Sequence, residues 1–183
     1  IAAAFGAVTD RLGVPDLVVN NAGIAVTRRF TDHTAADWDA VMDVNLRGAF
    51  LVGRAAAERM VAAGRPGSIV NIGSILGERV IAGVASYAAA KAGLAQLTRS
   101  MAVELARHAI RVNTLAPGYI ATEINADYFD TPPGQAMVNR VPQRRLGTPD
   151  DLTGPLLLLA SDAGRHITGT VLVVDGGHAI SPL

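Results

Sequence analysis

The chain has 183 residues, 50% of them apolar, which suits a single globular domain, residues 1–183, with a buried core. Sixteen basic residues balance sixteen acidic ones, so charge gives no indication of nucleic acid or an anionic membrane as a partner. Cysteine is absent, which excludes disulfides, thiolate metal sites and a cysteine nucleophile and agrees with a cytoplasmic location.

Apolar periodicity predicts helices and short buried strands in alternation. In chain order the prediction is helix 1–12, strand 16–20, helix 35–63, strand 68–72, helix 86–108, strand 110–115, helix 149–160 and strand 170–174. Thr34 is the expected N-cap of the second helix and Gly64 its stop signal. Gly154 and Pro155 form a potential break in the last helix. No apolar run approaches the roughly 18 residues of a membrane span.

This alternation implies an α/β fold in which right-handed crossovers build a doubly wound parallel sheet covered on both faces. Ligands of such sheets bind at the carboxyl ends of the strands. Three predicted strands are followed there by polar or glycine-rich residues, at positions 20–23, 73–74 and 117–122. Residues 123–147 are the one long irregular stretch, and we expect them to form a substrate-binding loop.

Tyr87 and Lys91 lie four residues apart in Y-A-A-A-K, so on a helix they share one face with Cβ atoms ~5–6 Å apart. A neighbouring cation favours the phenolate and lowers the tyrosine pKa, as acid–base catalysis requires. Ser74, at the end of the preceding strand, could hydrogen-bond a substrate carbonyl or alcohol. The spacing alone is common on exposed helices, so a catalytic interpretation depends on the accompanying motifs.

Six ordered motifs run along the chain, and one of them contains this pair. They are N-N-A-G at 20–23, D-V-N-L-R-G with Asn45, N-I-G-S with Ser74, Y-A-A-A-K, A-P-G-Y-I-A-T ending at Thr122, and I-T-G-T-V-L-V-V-D-G-G. Together, and over the whole chain, they resemble the classical short-chain dehydrogenase/reductase family. The resemblance implies a Rossmann-like fold and hydride transfer between NAD or NADP and a carbonyl or secondary alcohol, as in a carbonyl reductase or dehydrogenase.

The resemblance also implies roles for four residues. Tyr87 would be the general acid in reduction and the general base in oxidation. Lys91 would lower the tyrosine pKa and hydrogen-bond the nicotinamide ribose. Ser74 would orient the substrate oxygen, and Asn45 would hold a water that connects Lys91 to solvent.

The implied cofactor-binding residues are Asn21, Ala22, Gly23, Tyr87, Lys91, Pro117, Gly118, Ile120 and Thr122. We interpret Asn20 as a tie between strands, because buried amides usually satisfy other polar groups. The four histidines lack a ligand-like spacing and no metal is predicted. Asp150 and Asp151 are expected at a helix N-terminus, and Arg144 and Arg145 as solvated or ion-paired surface residues with a smaller chance of meeting an anion.

One departure from the family pattern is large, because no glycine-rich pyrophosphate loop precedes the first strand. In family terms the N-terminal strand-helix-strand portion is missing, and NAD cannot be distinguished from NADP. Residues 17–19 are therefore expected at an unpaired sheet edge. We favour a full-length enzyme of which this is a part; the alternative is a truncated or inactive fragment that acts as a binding or oligomerisation module without useful dinucleotide affinity.

The sequence alone leaves the substrate and the partners open. Residues 142–152, P-Q-R-R-L-G-T-P-D-D-L, resemble both gluconate dehydrogenases and 3-oxoacyl carrier-protein reductases. Epimerases and dehydratases of the extended branch share Y-x-x-x-K, but N-N-A-G favours the classical branch. In the family the two long helices commonly pack against a partner's copies, which implies a homo-oligomer, a dimer or tetramer.

Overall fold

The computed structural model describes residues 1–122 and 126–181. Its strands are β1 (Leu17–Asn20), β2 (Gly67–Ile72), β3 (Ile110–Pro117) and β4 (Val171–Val174). Its α-helices are α1 (Ala2–Leu12), α2 (Ala35–Met42), α3 (Ala49–Ala62), α4 (Ala85–Leu105), α5 (Ala126–Phe129), α6 (Pro132–Val138) and α7 (Pro149–Ala160). The predicted alternation of helices and strands is confirmed.

The four strands form one parallel sheet in the order β1-β2-β3-β4. The register places Asn20 beside Asn71 and aligns Ile72 with Leu115. All four carboxyl ends therefore lie along one edge of the sheet. Within the part of the chain that the structure describes, β1 pairs with β2 alone and is an edge strand, as expected.

Helices cover both faces of the sheet, which confirms the doubly wound fold class. On one face, α1, α3 and α4 pack on the strands around a buried core that includes Met60, Ile69 and Val112. On the other face, α7 packs through Leu159 against Val70 and Leu115. Adjacent strand residues thus point to opposite faces, because side chains alternate along a strand.

The predicted helix 35–63 is interrupted by a wider turn. Thr34 caps its start as expected, in a capping box with Asp37, and Gly64 ends it with φ +63°. Between these ends the segment Asp43–Gly48 is a π-helix that joins α2 to α3. Such bulges carry an extra residue in the turn and are frequent at functional sites.

Two further expectations about local structure are corrected. The stretch 123–147 is not irregular where it is described, because it contains the short helices α5 and α6; residues 123–125 of it lie outside the described residues. The pair Gly154 and Pro155 does not break α7, which runs through Pro155. A capping box at Thr148 and the packing of leucines on the sheet compensate for the backbone hydrogen bond that an interior proline lacks.

None of the helices within 1–122 and 126–181 is both long and apolar enough to cross a bilayer.

Candidate active site

Ser74 and Tyr87 meet at the carboxyl end of β2. Ser74 begins a 3₁₀ turn, Ile75–Gly77, and its Oγ accepts a hydrogen bond from the backbone N–H of Leu76 at 3.1 Å. The turn packs closely on α4, since a β-carbon at Gly77 would lie 3.1 Å from the carbonyl oxygen of Lys91. The Ser74 side chain also hydrogen-bonds Tyr87. The sheet edge and α4 thus bring together the two hydroxyls that the sequence motifs single out.

Lys91 lies one turn of α4 beyond Tyr87 and is only 4% exposed. Its Nζ donates a hydrogen bond to the carbonyl oxygen of Ile72, the last residue of β2, at 2.7 Å. The same nitrogen lies over the Tyr87 ring, 5.5 Å from the ring centroid. The expected pairing of phenol and ammonium is therefore present.

Two pKa shifts follow from this burial. Burial raises the pKa of Tyr87 above its ordinary value near 10, and the hydrogen bond from Ser74 acts in the opposite direction. Burial also lowers the pKa of Lys91 from 10.5 to about 8. For these residues by themselves the net shift of the Tyr87 pKa is therefore upward, because desolvation of the phenol outweighs the hydrogen bond from Ser74. The lowering of this pKa by Lys91 that the resemblance implies stays a prediction.

Asn45 lies in the π-helical segment and is 1% exposed. Its amide pairs with the backbone of Ile24, donating from Nδ2 to the carbonyl oxygen and accepting from the N–H at Oδ1, both at 2.8 Å. A β-carbon at Gly23 would lie 3.5 Å from Asn45 Oδ1 and 3.6 Å from Lys91 Nζ. Asn45 therefore holds the segment after β1 against the buried lysine.

The predicted cofactor-binding residues occupy two strand ends. Asn21, Ala22 and Gly23 are exposed directly after β1, beside Lys91 and Asn45. Pro117 ends β3, and the Gly118 N–H bonds the carbonyl oxygen of Val174 at 2.9 Å, which ties β3 to β4.

The two remaining predicted residues lie just beyond β3. Ile120 forms a parallel bridge with Gly147, so the chain after β3 pairs with the segment that precedes α7. Thr122 is exposed and is the last described residue before residue 126. The fold thus places all the predicted cofactor residues along the carboxyl edge of the sheet.

A buried polar chain behind this edge was missed at the level of sequence. Asn20 Nδ2 donates to Asn71 Oδ1, Asn71 Nδ2 donates to Thr98, and Thr114 Oγ1 bonds the Thr98 hydroxyl, each at 2.8 Å. The interpretation of Asn20 as a tie between strands is confirmed. Polar residues inside the otherwise apolar strands β2 and β3 were the available signal, since buried polar groups need partners.

The histidines behave as packing or surface residues. His33 Nε2 hydrogen-bonds Ser86, the residue before Tyr87, at 2.9 Å, and the His178 ring packs against that of Tyr119 with centroids 5.1 Å apart. His108 bonds Arg107, and His166 is exposed. No three acidic or histidine side chains within the described residues come close enough to hold a metal ion.

The charged pairs near α7 are resolved by the structure. Asp151 completes the capping box of α7, and Arg145 binds it with nitrogen–oxygen distances of 2.7 and 2.9 Å. The guanidinium of Arg145 holds the pKa of the Asp151 carboxyl far below its usual range. The expected helix-terminal and ion-paired roles are confirmed for these two residues.

The chain matches a family model described as Enoyl-(Acyl carrier protein) reductase over residues 1–179. It is 40% identical to 2-dehydro-3-deoxy-D-gluconate 5-dehydrogenase of Escherichia coli (strain K12), over 88% of this chain and 64% of that protein. It is 39% identical to a 3-oxoacyl-[acyl-carrier-protein] reductase of Vibrio cholerae, over 97% of this chain and 72% of that protein. The chain thus spans about two thirds of the length of these relatives.

Solved structures show the same likeness. The crystal structure of a gluconate 5-dehydrogenase from Burkholderia cenocepacia in complex with NADP and tartrate superposes with a TM-score of 0.94 at 38% identity. The match covers 99% of this chain and 71% of that one. A putative 2-deoxy-D-gluconate 3-dehydrogenase from Agrobacterium tumefaciens with bound NADP gives a TM-score of 0.87 at 40% identity, over 90% of this chain and 68% of the other.

Proposed function

The chain belongs to the classical short-chain dehydrogenase/reductase family, and we propose that it carries the proton-transfer centre of an NAD(P)-dependent oxidoreductase. The reaction exchanges a hydride between the nicotinamide and a carbonyl or secondary alcohol carbon. One observation carries the proposal: Ser74, Tyr87, Lys91 and Asn45 converge at the carboxyl edge of the sheet. The activity of the whole protein is part of the proposal, because this chain covers about two thirds of its relatives.

Tyr87 is the proposed acid and base. Its raised pKa keeps the phenol protonated near neutrality, so in reduction it can give its proton to the oxygen of the substrate carbonyl. Ser74 donates a hydrogen bond to the phenol oxygen, which stabilises the phenolate that remains. In oxidation the phenolate takes the proton of the substrate hydroxyl, and the Ser74 hydroxyl helps to orient that oxygen.

Lys91 supports this exchange through its charge and position. With a pKa of about 8 it is mainly protonated at pH 7, and it lies over the Tyr87 ring, where a cation favours the phenolate. One of its three N–H donors is used by Ile72, which leaves others for a ribose or a water. Asn45 fixes the segment that faces this ammonium. The proposed role of Asn45 in holding a water is compatible with its remaining amide hydrogen.

The residues beside Lys91 fit a nicotinamide nucleotide. Gly23 keeps open a space in front of Lys91 and Asn45 that a β-carbon would fill. Asn21, Ala22 and Gly23 are exposed there, so backbone can approach a ribose closely. We assign Pro117, Gly118, Ile120 and Thr122 to the nicotinamide side of the same site. When bound, the cofactor supplies or accepts the hydride.

The assay follows the absorbance of NADH and NADPH with simple ketones, using protein expressed from its complete reading frame. Tyr87→Phe should lower kcat by a factor of about 10² to 10⁴, because proton transfer is lost while the ring remains. Thr31→Val is the matched control, since it removes an exposed hydroxyl in the turn before α2 and should leave kcat unchanged.

The outcomes separate the parts of this proposal. Full activity in Tyr87→Phe would remove the acid–base role but leave the oxidoreductase assignment in place. Absence of turnover by the wild type with either coenzyme would contradict the assignment and favour a binding or assembly module.

We propose that residues 123–147 border the substrate as part of the single domain. Tyr119, two residues beyond the end of β3, packs on Phe129 of α5 with ring centroids 5.7 Å apart and an edge-to-face angle of 64°. Phe129 is 6% exposed, so α5 is anchored on the domain through this contact. The helical segment therefore lies on the same side of the sheet edge as Ser74 and Tyr119.

A homo-oligomer formed through α3 and α4 is also proposed. Between these helices lies an apolar groove of about 590 Å³ that includes Phe50, Val61 and Leu97. Phe50 is 42% and Val61 37% exposed, so both side chains offer apolar surface that a second copy of the chain could cover. Sedimentation equilibrium of the protein decides between a monomer, a dimer and a tetramer. The cytoplasmic location stays a prediction.

A further inference from the structure

A cavity of about 700 Å³ opens next to Ser74, and its lining is strongly basic. Ile75 and Leu76, which follow Ser74 directly, form one wall, and Tyr119 forms another. Arg79, Arg140 and Arg144 contribute three guanidinium groups to the lining, and none of the described residues that line the cavity is an aspartate or glutamate. A substrate held by Ser74 would therefore extend into a space with excess positive charge.

The three arginines differ in how they are held. Arg79 donates from Nη1 to the carbonyl oxygens of Ala179 at 2.6 Å and Ser181 at 3.2 Å, which fixes its position. Arg144 donates to the carbonyl oxygen of Asn139. The Arg140 guanidinium has neither a hydrogen bond nor an ion pair to any residue in the described ranges. Arg140, and the remaining donors of Arg79, are thus available to a ligand.

The positive charge of these arginines affects the pKa values of two neighbouring side chains. The pKa of His178 is lowered by burial; Asp175 acts in the opposite direction, and Arg79 and Arg140 lower it further. Arg140 also acts on the pKa of Tyr119, against the raising effect of burial.

The Asp175 carboxylate does not neutralise the cavity. Its oxygens accept backbone N–H bonds from Gly177 at 2.8 Å and Ala179 at 2.5 Å, so it is directed into the turn after β4.

We propose that the substrate carries a carboxylate, which Arg140 and Arg79 bind while its carbonyl or alcohol meets Ser74 and Tyr87. This inference rests on the proposed function and adds the substrate class. The arginines border the same cavity as the residues after Ser74, so the anionic group must lie close to the reacting carbonyl. A small oxo acid or hydroxy acid meets this condition better than a pantetheine thioester. In the thioester, the long pantetheine chain separates the phosphate from the reacting carbonyl.

The test compares charged and neutral partners of one shape. The ketones 3-oxobutanoate, 4-oxopentanoate and 5-oxohexanoate are each assayed beside their methyl esters with NADH and NADPH. We expect kcat/KM to be about tenfold or more higher for at least one acid than for its ester, since a hydrogen-bonded charge pair is lost in the ester.

The substitution Arg140→Gln tests whether this arginine causes the preference for acids over esters. It should raise KM for the preferred acid by about 10- to 100-fold, while kcat and the ester kinetics change by less than about twofold. The matched control is Arg165→Gln, an exposed arginine that lines a different cavity, at the amino ends of β2 and β3. It should leave the acid and ester kinetics as they are.

Three results would overturn the inference. Equal turnover of acids and esters, with no effect of Arg140→Gln, would leave an oxidoreductase whose substrate is not anionic. An effect of Arg140→Gln on acetoacetyl-coenzyme A alone, and not on its uncharged N-acetylcysteamine thioester or on the oxo acids, would assign the arginine to a phosphate. Absence of turnover with every ketone would remove the proposed function and this inference with it.

Discussion

Lys91 should make the folded protein less stable at neutral pH than an apolar side chain of similar length would. The residue is 4% exposed, and burial lowers its pKa from 10.5 to about 8. Lys91→Met removes the buried charge and retains most of the volume. We therefore expect a variant that loses catalysis but gains stability at pH 7.

The magnitude follows from the pKa shift. A difference of ~2.5 units at 1.36 kcal/mol per unit costs the wild type about 3 kcal/mol at pH 7. Because Lys91 has a depressed folded pKa, the unfolded chain binds more protons between pH 8 and 10.5. The free energy of unfolding of the wild type therefore rises with pH across that window. The penalty for burying Lys91 falls to about 1.5 kcal/mol at pH 9.5. Loss of the bond to Ile72 offsets part of the gain in the variant, by about 1–2 kcal/mol.

Urea denaturation of both proteins at pH 7 and 9.5 measures the effect. The difference in the free energy of unfolding between Lys91→Met and wild type should shrink by about 2 kcal/mol between the two pH values. Arg11→Met, at the exposed end of α1, is the control and should show no such pH dependence, because folding does not bury this side chain. A difference that stays constant within about 0.5 kcal/mol would refute the reasoning.

Two further outcomes are expected. In urea denaturation, Gly118→Ala should lower the free energy of unfolding by about 1–3 kcal/mol, because the new β-carbon would lie 2.6 Å from that of Asp175. The control Gly6→Ala, in an open part of α1, should raise it by up to about 1 kcal/mol. Equal effects of the two substitutions would contradict this packing. For alcohol oxidation, kcat/KM should still rise with pH above pH 9, because burial raises the pKa of the Tyr87 base and only its deprotonated form accepts the proton. An oxidation profile that reaches its plateau below pH 8 would show that Tyr87 titrates lower in the working enzyme.

Local signals were sufficient for the elements of the fold. Apolar periodicity located the four strands and the main helices within a few residues, and Thr34 marked a helix start that the capping box confirms. The lysine at the fourth position after Tyr87 had to share a helix face with it. These features depend on neighbours within one or two turns of helix, which a sequence displays directly.

Two features of the site depend on contacts between distant residues. The π-helical turn around Asn45 accompanies hydrogen bonds to Ile24, which lies 21 residues away. The direction of the Tyr87 pKa shift depends on how completely the fold buries the phenol. Neither burial nor a partner in another element can be derived from spacing along the chain, because both are set when strands and helices pack.

The sequence by itself determined the α/β class, the doubly wound alternation and the residues of the proposed proton-transfer centre, because periodicity and short motifs are local properties. Only the tertiary structure decided that Lys91 is held by Ile72 and that Arg79 and Arg140 border one cavity with the residues after Ser74. Arg79 and Arg140 are 61 positions apart and belong to no shared motif. Helix α4 and strand β3 lie between these two arginines in the sequence. Together they return the chain to the same edge of the parallel sheet, which brings the two arginines close to each other.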